Sequence, residues 1–121
     1  MIFAERFLRA DLVVMAAPTF FKNIPGPAKN FLDRFSGTAF DSDLKPRFSH
    51  DTGYLLMTSC GAPAIADHLS GQSAGAIRSM RSFFDMSGMR YRGSLVLTDA
   101  NKIKEPPVSF RRKMLRLARR L

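Results

Sequence analysis

Apolar residues fall along this chain in two modes, short unbroken runs and longer stretches with helical spacing. Leu12-Val13-Val14-Met15 is one unbroken run, inside a segment from Asp11 to Ala17. Runs of this kind, without alternation, fit parallel strands buried on both faces. Gly53–Ser59 and Ser94–Thr98 read the same way. Between the runs, Ala28, Phe31, Leu32 and Phe35 stand at i, i+3, i+4 and i+7, which makes one apolar helical face. Ile77, Met80, Phe83 and Phe84 make a second. Phe110, Met114, Leu117, Ala118 and Leu121 make a third, a stripe suited to a core. Residues 2–10 read as the end of a further helix, with Ile2, Phe3, Phe7 and Leu8 on one side. Strands alternating with helices predict an α/β fold whose sheet is parallel and covered on both faces.

Prolines and glycines set the expected boundaries. Pro18 has no backbone donor and stops the first strand. Pro25-Gly26-Pro27 opens a helix, where a missing N–H costs least, and Ser36-Gly37 is expected to end it. Residues 36–52 are polar and turn-rich and read as a surface connector. Cys60-Gly61-Ala62-Pro63 is a turn of small residues, and Ala64–Gln72 a short helical turn or a flexible loop. A helix follows from Ser73 to Gly88, and Met89–Gly93 links it to the last strand. Asp99–Asn101 and Pro106-Pro107 separate that strand from the final helix.

The 121 residues suit one domain, and a chain of this size buries about two thirds of its unfolded surface. No apolar run approaches the ~20 residues of a membrane span, and the start shows no secretory pattern. Cys60 is the only cysteine, which excludes an intrachain disulfide and a cysteine-rich metal site and fits a reducing cytoplasm. The net charge of +9 is concentrated late, at Arg111, Arg112, Lys113, Arg116, Arg119 and Arg120. Such a face attracts phosphates, or it is the solvated side of a terminal helix. His50-Asp51 has no nucleophile beside it, and Cys60 has no base. His68 reads as an exposed loop side chain, with reach to a cofactor as the alternative.

The run Pro18-Thr19-Phe20-Phe21-Lys22-Asn23-Ile24-Pro25-Gly26-Pro27, ending in Lys29-Asn30-Phe31-Leu32-Asp33-Arg34, resembles the second flavin loop of the NAD(P)H-dependent FMN reductase and iron–sulfur flavoprotein families. Two positions depart from their pattern: Phe20 where tyrosine is common, and Lys22 where glycine is common. The resemblance implies a flavodoxin-like three-layer sandwich, with FMN as cofactor and NAD(P)H as electron donor. It implies cofactor contacts from Pro18, Thr19, Phe20, Phe21, Lys22, Asn23 and Ile24, and from Thr58, Ser59, Cys60 and Gly61 in a third flavin loop. No catalytic side chain and no metal is implied, because the flavin carries the hydride chemistry.

All of residues 1–121 fall within the resemblance, but only as the last three strands of the fold. No phosphate loop and no first strand precede Asp11, so the chain is expected to be an N-terminally truncated, partial domain. Three missing phosphate hydrogen bonds, at about 1.5–3 kcal/mol each, would weaken FMN by about three to six decades. The Asp11–Ala17 strand would become a sheet edge without lysine, central proline or inward charge, an edge expected to be covered in a homo-oligomer. The expected function is an FMN-dependent NAD(P)H oxidoreductase, inactive without the missing part. A non-catalytic assembly domain is the alternative. A nucleic-acid-binding module has only the charge in its favour, with no helix-turn-helix, zinc or aromatic RNA-binding signature.

Overall fold

A computed structural model describes residues 2–121. Its elements are α1 (Ile2–Leu8), β1 (Leu12–Ala16), α2 (Gly26–Ala39), β2 (Gly53–Ser59), α3 (Ala64–Ser70), α4 (Gln72–Met86), β3 (Arg90–Leu97) and α5 (Val108–Ala118). The three strands form one parallel sheet in the order β1-β2-β3. β1 pairs with β2 from Leu12 opposite Gly53 to Ala16 opposite Met57. β2 pairs with β3 from Gly53 opposite Arg90 to Ser59 opposite Leu97. The register shifts between Tyr54 and Leu55, which leaves Arg92 as the extra residue of a bulge.

Side chains alternate across this sheet. Val13, Met15, Tyr54, Leu56 and Tyr91 face the layer built by α2 and α4. The core there is aromatic: Phe7 packs 4.7 Å from Phe35 and 5.4 Å from Phe48, ring centre to ring centre. Tyr54 stacks on Phe84 at 4.9 Å. The Tyr54 hydroxyl donates to Asp85, which also accepts from Arg81 Nε at 3.1 Å. Burial and that hydrogen bond raise the Tyr54 pKa well above its ordinary value. α1 packs on α2 through Phe3 and Phe31 at 6.0 Å. The side chain of Ile2, counted with that apolar face, lies outside the described residues.

Several expectations change. α2 runs past Ser36-Gly37 to Ala39, which is fully buried, and Phe40 closes the helix by donating its N–H to Ser36. Burying Ala39 offsets the roughly 1 kcal/mol that an internal glycine costs a helix. The 40–52 connector is anchored rather than purely superficial, because Phe48 is buried in the core. β3 begins at Arg90, so the expected link is already strand. Residues 64–70 are a helix, and the buried Asp67 accepts from the Ser73 N–H at 2.7 Å and from its hydroxyl, tying α3 to the first turn of α4.

The largest correction is on the other face. α5 packs chiefly on β3, with Leu117 against Gly93, whose φ of 142° only glycine adopts readily. Its stripe does not sit in a core: Phe110 and Leu117 are half-buried, while Met114 and Leu121 are exposed. Nor is β1 buried on both sides. Val14 is 52% exposed, and Leu12 and Ala16 share its face. One helix is about 10 Å wide, and three strands span about as much between their outer axes. A single helix seated on β3 therefore leaves β1 bare. No helix among the described residues is long and apolar enough to cross a membrane.

Candidate cofactor site at the carboxyl ends of the strands

In an open parallel sheet, ligands bind beyond the carboxyl ends of the strands. Here three loops meet at that end. The loop after β1 is tied to the one after β2 by Thr19 N–H donating to Ser59 O at 2.8 Å. The Thr19 and Thr58 hydroxyls are 2.7 Å apart. The loop after β3 clamps the second loop from outside: Ala100 N–H donates to Cys60 O and Asp99 N–H to Ala62 O, both at 3.0 Å. The expected residues Pro18–Ile24 and Thr58–Gly61 are thus brought together.

Within the first loop, Phe20 and Asn23 exchange both backbone hydrogen bonds, at 2.8 and 2.9 Å. The two residues between them, Phe21 and Lys22, have φ of 49° and 64°. Positive φ at both central positions defines a type I′ turn, normally built with glycine or asparagine. Side chains there cost about 1–2 kcal/mol each. What holds the turn is the Phe20–Asn23 bridge and α4. Gly75 lies so close beneath it that an added Cβ would sit 2.0 Å from the Lys22 carbonyl oxygen. The result is a projecting aromatic pair: Phe21 is 97% exposed and Phe20 is 55% exposed.

Not every expected residue can meet a ligand by its side chain. Ile24, Thr58 and Cys60 are buried, and the Thr58 hydroxyl is taken up by that of Thr19. Backbone amides are also more committed than their number suggests. Those of Thr19, Phe20, Asn23 and Cys60 donate to carbonyls, and that of Ile24 donates to Asn23 Oδ1 at 2.8 Å. Among the described residues, the N–H groups of Phe21, Lys22, Gly61 and Ala62 have no such partner. These four free donors beside an exposed aromatic pair suit the polar edge and the face of a planar heterocycle. His68 lies on α3, exposed. Among the described residues, no three His, Cys, Asp or Glu side chains gather as a metal site.

Beside the loops, on the α5 side of the sheet, runs an open groove of about 390 Å³. Ala16, Ala17 and Pro18 form one wall, Met57, Thr58 and Ser59 the floor, and Leu97, Pro106 and Phe110 the other wall. Three contributors were missed in the sequence: Gly75 under the turn, Asn101, whose side chain an added Gly61 Cβ would meet at 3.7 Å, and Phe110 in the groove. Gly75 left one signal, a glycine inside an otherwise helical pattern.

A three-stranded parallel sheet between helices, with its loops gathered at the carboxyl ends of the strands, defines an α/β protein of the open-sheet class. A family model described as flavodoxin-like fold matches residues 2–121, and the chain belongs to that family. Solved structures agree on the fold. A thermophilic tryptophan halogenase from Streptomycin violaceusniger is 16% identical with a TM-score of 0.69, covering 97% of this chain and 69% of its own. The Trp repressor binding protein from Bacillus subtilis is 21% identical with a TM-score of 0.62, covering 97% and 65%. An NADPH-quinone reductase from P. pentosaceus is 15% identical with a TM-score of 0.67, covering 96% and 70%. The chain therefore spans about two thirds of the length of these structures. No curated protein matches it.

Proposed function

We propose that this chain is the flavin-ring half of an FMN-dependent NAD(P)H oxidoreductase. The observation that carries the reading is the pair of loops locked side by side, Thr19 on Thr58 and Ser59, under the projecting Phe20 and Phe21. In this reading, Phe21 and Phe20 cover one face of the ring. The N–H groups of Phe21, Lys22, Gly61 and Ala62 donate to its pyrimidine edge, where electron density rises on reduction. Bound flavin would accept a hydride from NAD(P)H and pass electrons on. The protein's part is to fix the ring, shield one face and stabilise charge on its edge. The NADPH-quinone reductase among the structural neighbours supports this class of reaction. The reading also takes residues 1–121 as one domain, working in the cytoplasm in a homo-oligomer built through the open sheet edge.

Because the contacts are to the ring, riboflavin and FMN should bind this chain within about tenfold of each other, and weakly. Titration of flavin fluorescence tests this. Saturable quenching by both flavins, weakened about tenfold or more in Phe21→Ala, is the expected result. No quenching by either flavin at millimolar protein would remove the oxidoreductase reading. The non-catalytic assembly domain would then take its place.

A further inference from the structure

We propose that the outer flank of α5 is a docking surface for the phosphate backbone of double-helical DNA, held without sequence preference by Arg112, Lys113, Arg116, Arg119 and Arg120. The proposal is independent of the flavin reading.

The five cations stand at i, i+1, i+4, i+7 and i+8, so they share one face of the helix. The N–H groups of Arg119 and Arg120 donate to Leu115 O and Leu117 O at 3.1 and 3.0 Å, which carries the turn on past Ala118. Packing fixes which way this face points. Phe110 and Leu117 turn towards the sheet, and Phe110 with Pro106 lines the groove over β1 and β2. On the opposite flank, Ser109 and Lys113 border a second groove with Val96 and Thr98, along the outer side of β3. All five cations are exposed. At 3.6 residues per turn, Ser109 is the only other residue on their arc, which therefore holds no apolar side chain.

Nothing among the described residues neutralises this stripe. From Arg90 onward the chain holds ten of its nineteen lysines and arginines, but only two of its ten acidic residues, Asp99 and Glu105. Both are engaged elsewhere, Asp99 by Lys102 at 3.9 Å and Glu105 by Arg111 at 3.1 Å. The first turn of α5 has no acidic residue, although one there would stabilise the helix. Arg112 with Arg116, and Arg116 with Arg120, are like-charge neighbours at i, i+4, a spacing that destabilises a helix. The stripe thus works against the stability of its own helix, and an external row of anions relieves it.

Its chemistry selects duplex phosphates. Four of the five cations are arginines, whose planar fork pairs with phosphate through two hydrogen bonds. Arg112 to Arg120 covers about 12 Å of helix axis, one charge about every 3 Å, and duplex DNA carries one per roughly 1.7 Å. A lipid surface takes up a basic helix through apolar side chains at the acyl boundary, and the arc has none. A single strand is held by stacking on aromatic side chains, and none stands there. Contacts confined to phosphates fix position and carry no sequence information.

Fluorescence anisotropy of a short fluorescein-labelled DNA duplex, titrated with the full chain at a series of salt concentrations, tests the proposal. Affinity should fall a few hundredfold between about 50 and 200 mM salt, a log–log slope of about −4. A duplex of unrelated sequence should bind equally. Arg112→Gln with Arg116→Gln should lower the slope by about two and the affinity at about 50 mM salt by about a hundredfold. Arg34→Gln with Arg78→Gln removes the same charge from α2 and α4 and should leave the slope unchanged. All four arginines are exposed, so both variants should keep the circular dichroism melt of the parent. Cosedimentation with phosphatidylserine–phosphatidylcholine vesicles is the other arm, and the chain should stay in the supernatant at physiological salt. No anisotropy change at low salt, an equal loss in both variants, or vesicle binding that the stripe variant abolishes would overturn the proposal. None of these results bears on the flavin titration.

Discussion

Gly75 and Gly37 both lie within helices, and replacing each with alanine separates helix propensity from support of the Phe20–Asn23 turn. Taken alone, glycine to alanine inside a helix gains about 1 kcal/mol. At Gly37 nothing lies within 4 Å of the added methyl, so Gly37→Ala should gain most of that. At Gly75 the methyl would lie 2.0 Å from the Lys22 carbonyl oxygen and 2.9 Å from its carbon. Carbon–oxygen contacts are comfortable at about 3.3 Å, so the turn must retreat by about 1 Å. The neighbour is backbone already held at positive φ, with little freedom to yield. Overpacking of this kind costs about 1–3 kcal/mol. Gly75→Ala should therefore be less stable than Gly37→Ala by that amount. Urea unfolding of the two variants measures the difference, and flavin titration shows whether the displaced turn still binds. Equal stabilisation by both substitutions, with flavin quenching unchanged, would refute the claim that α4 holds the Phe20–Asn23 turn.

Other expectations follow from single contacts. Gly93→Ala places a methyl 2.7 Å from Leu117 at a φ of 142°, so it should lower stability by about 1–3 kcal/mol and loosen α5, read by urea melts and by proteolysis after Arg116. Asp67→Ala leaves the buried Ser73 N–H and hydroxyl without their acceptor and should cost about 1–3 kcal/mol in the same melts. Tyr54 stays protonated in the fold above its ordinary pKa of 10.0, chiefly through burial, while the unfolded chain ionises near that value. Its contribution is thus complete below that pH and declines as pH rises beyond it. Tyr54→Phe should flatten the alkaline loss of stability, followed as melting temperature against pH.

The sequence by itself determined the order of elements, the parallel sheet and the position of the first loop. Those features are local: unbroken apolar runs, helical spacing, Pro18, whose missing donor stops the ladder, and Pro25, which opens a helix. β2 was legible to the residue, Gly53–Ser59, because Thr52 and Cys60 bound a continuous run. The extension of α2 past Gly37 was not legible, since only the burial of Ala39 against distant residues outweighs the glycine. The state of the α5 stripe was hidden too. Phe110, Met114, Leu117 and Leu121 mark a face that wants covering, but whether another element reaches it depends on how many helices share that side of the sheet. At the site, the motif marked loops that meet at the carboxyl end of the sheet, and the fold decided which of their backbone donors stay unpaired. Thr58 and most of the first loop's amides are consumed in holding the loops together. Only Phe21, Lys22, Gly61 and Ala62 keep their donors, because hydrogen bonds between loops from different strands are set by tertiary register and leave no periodicity in the chain.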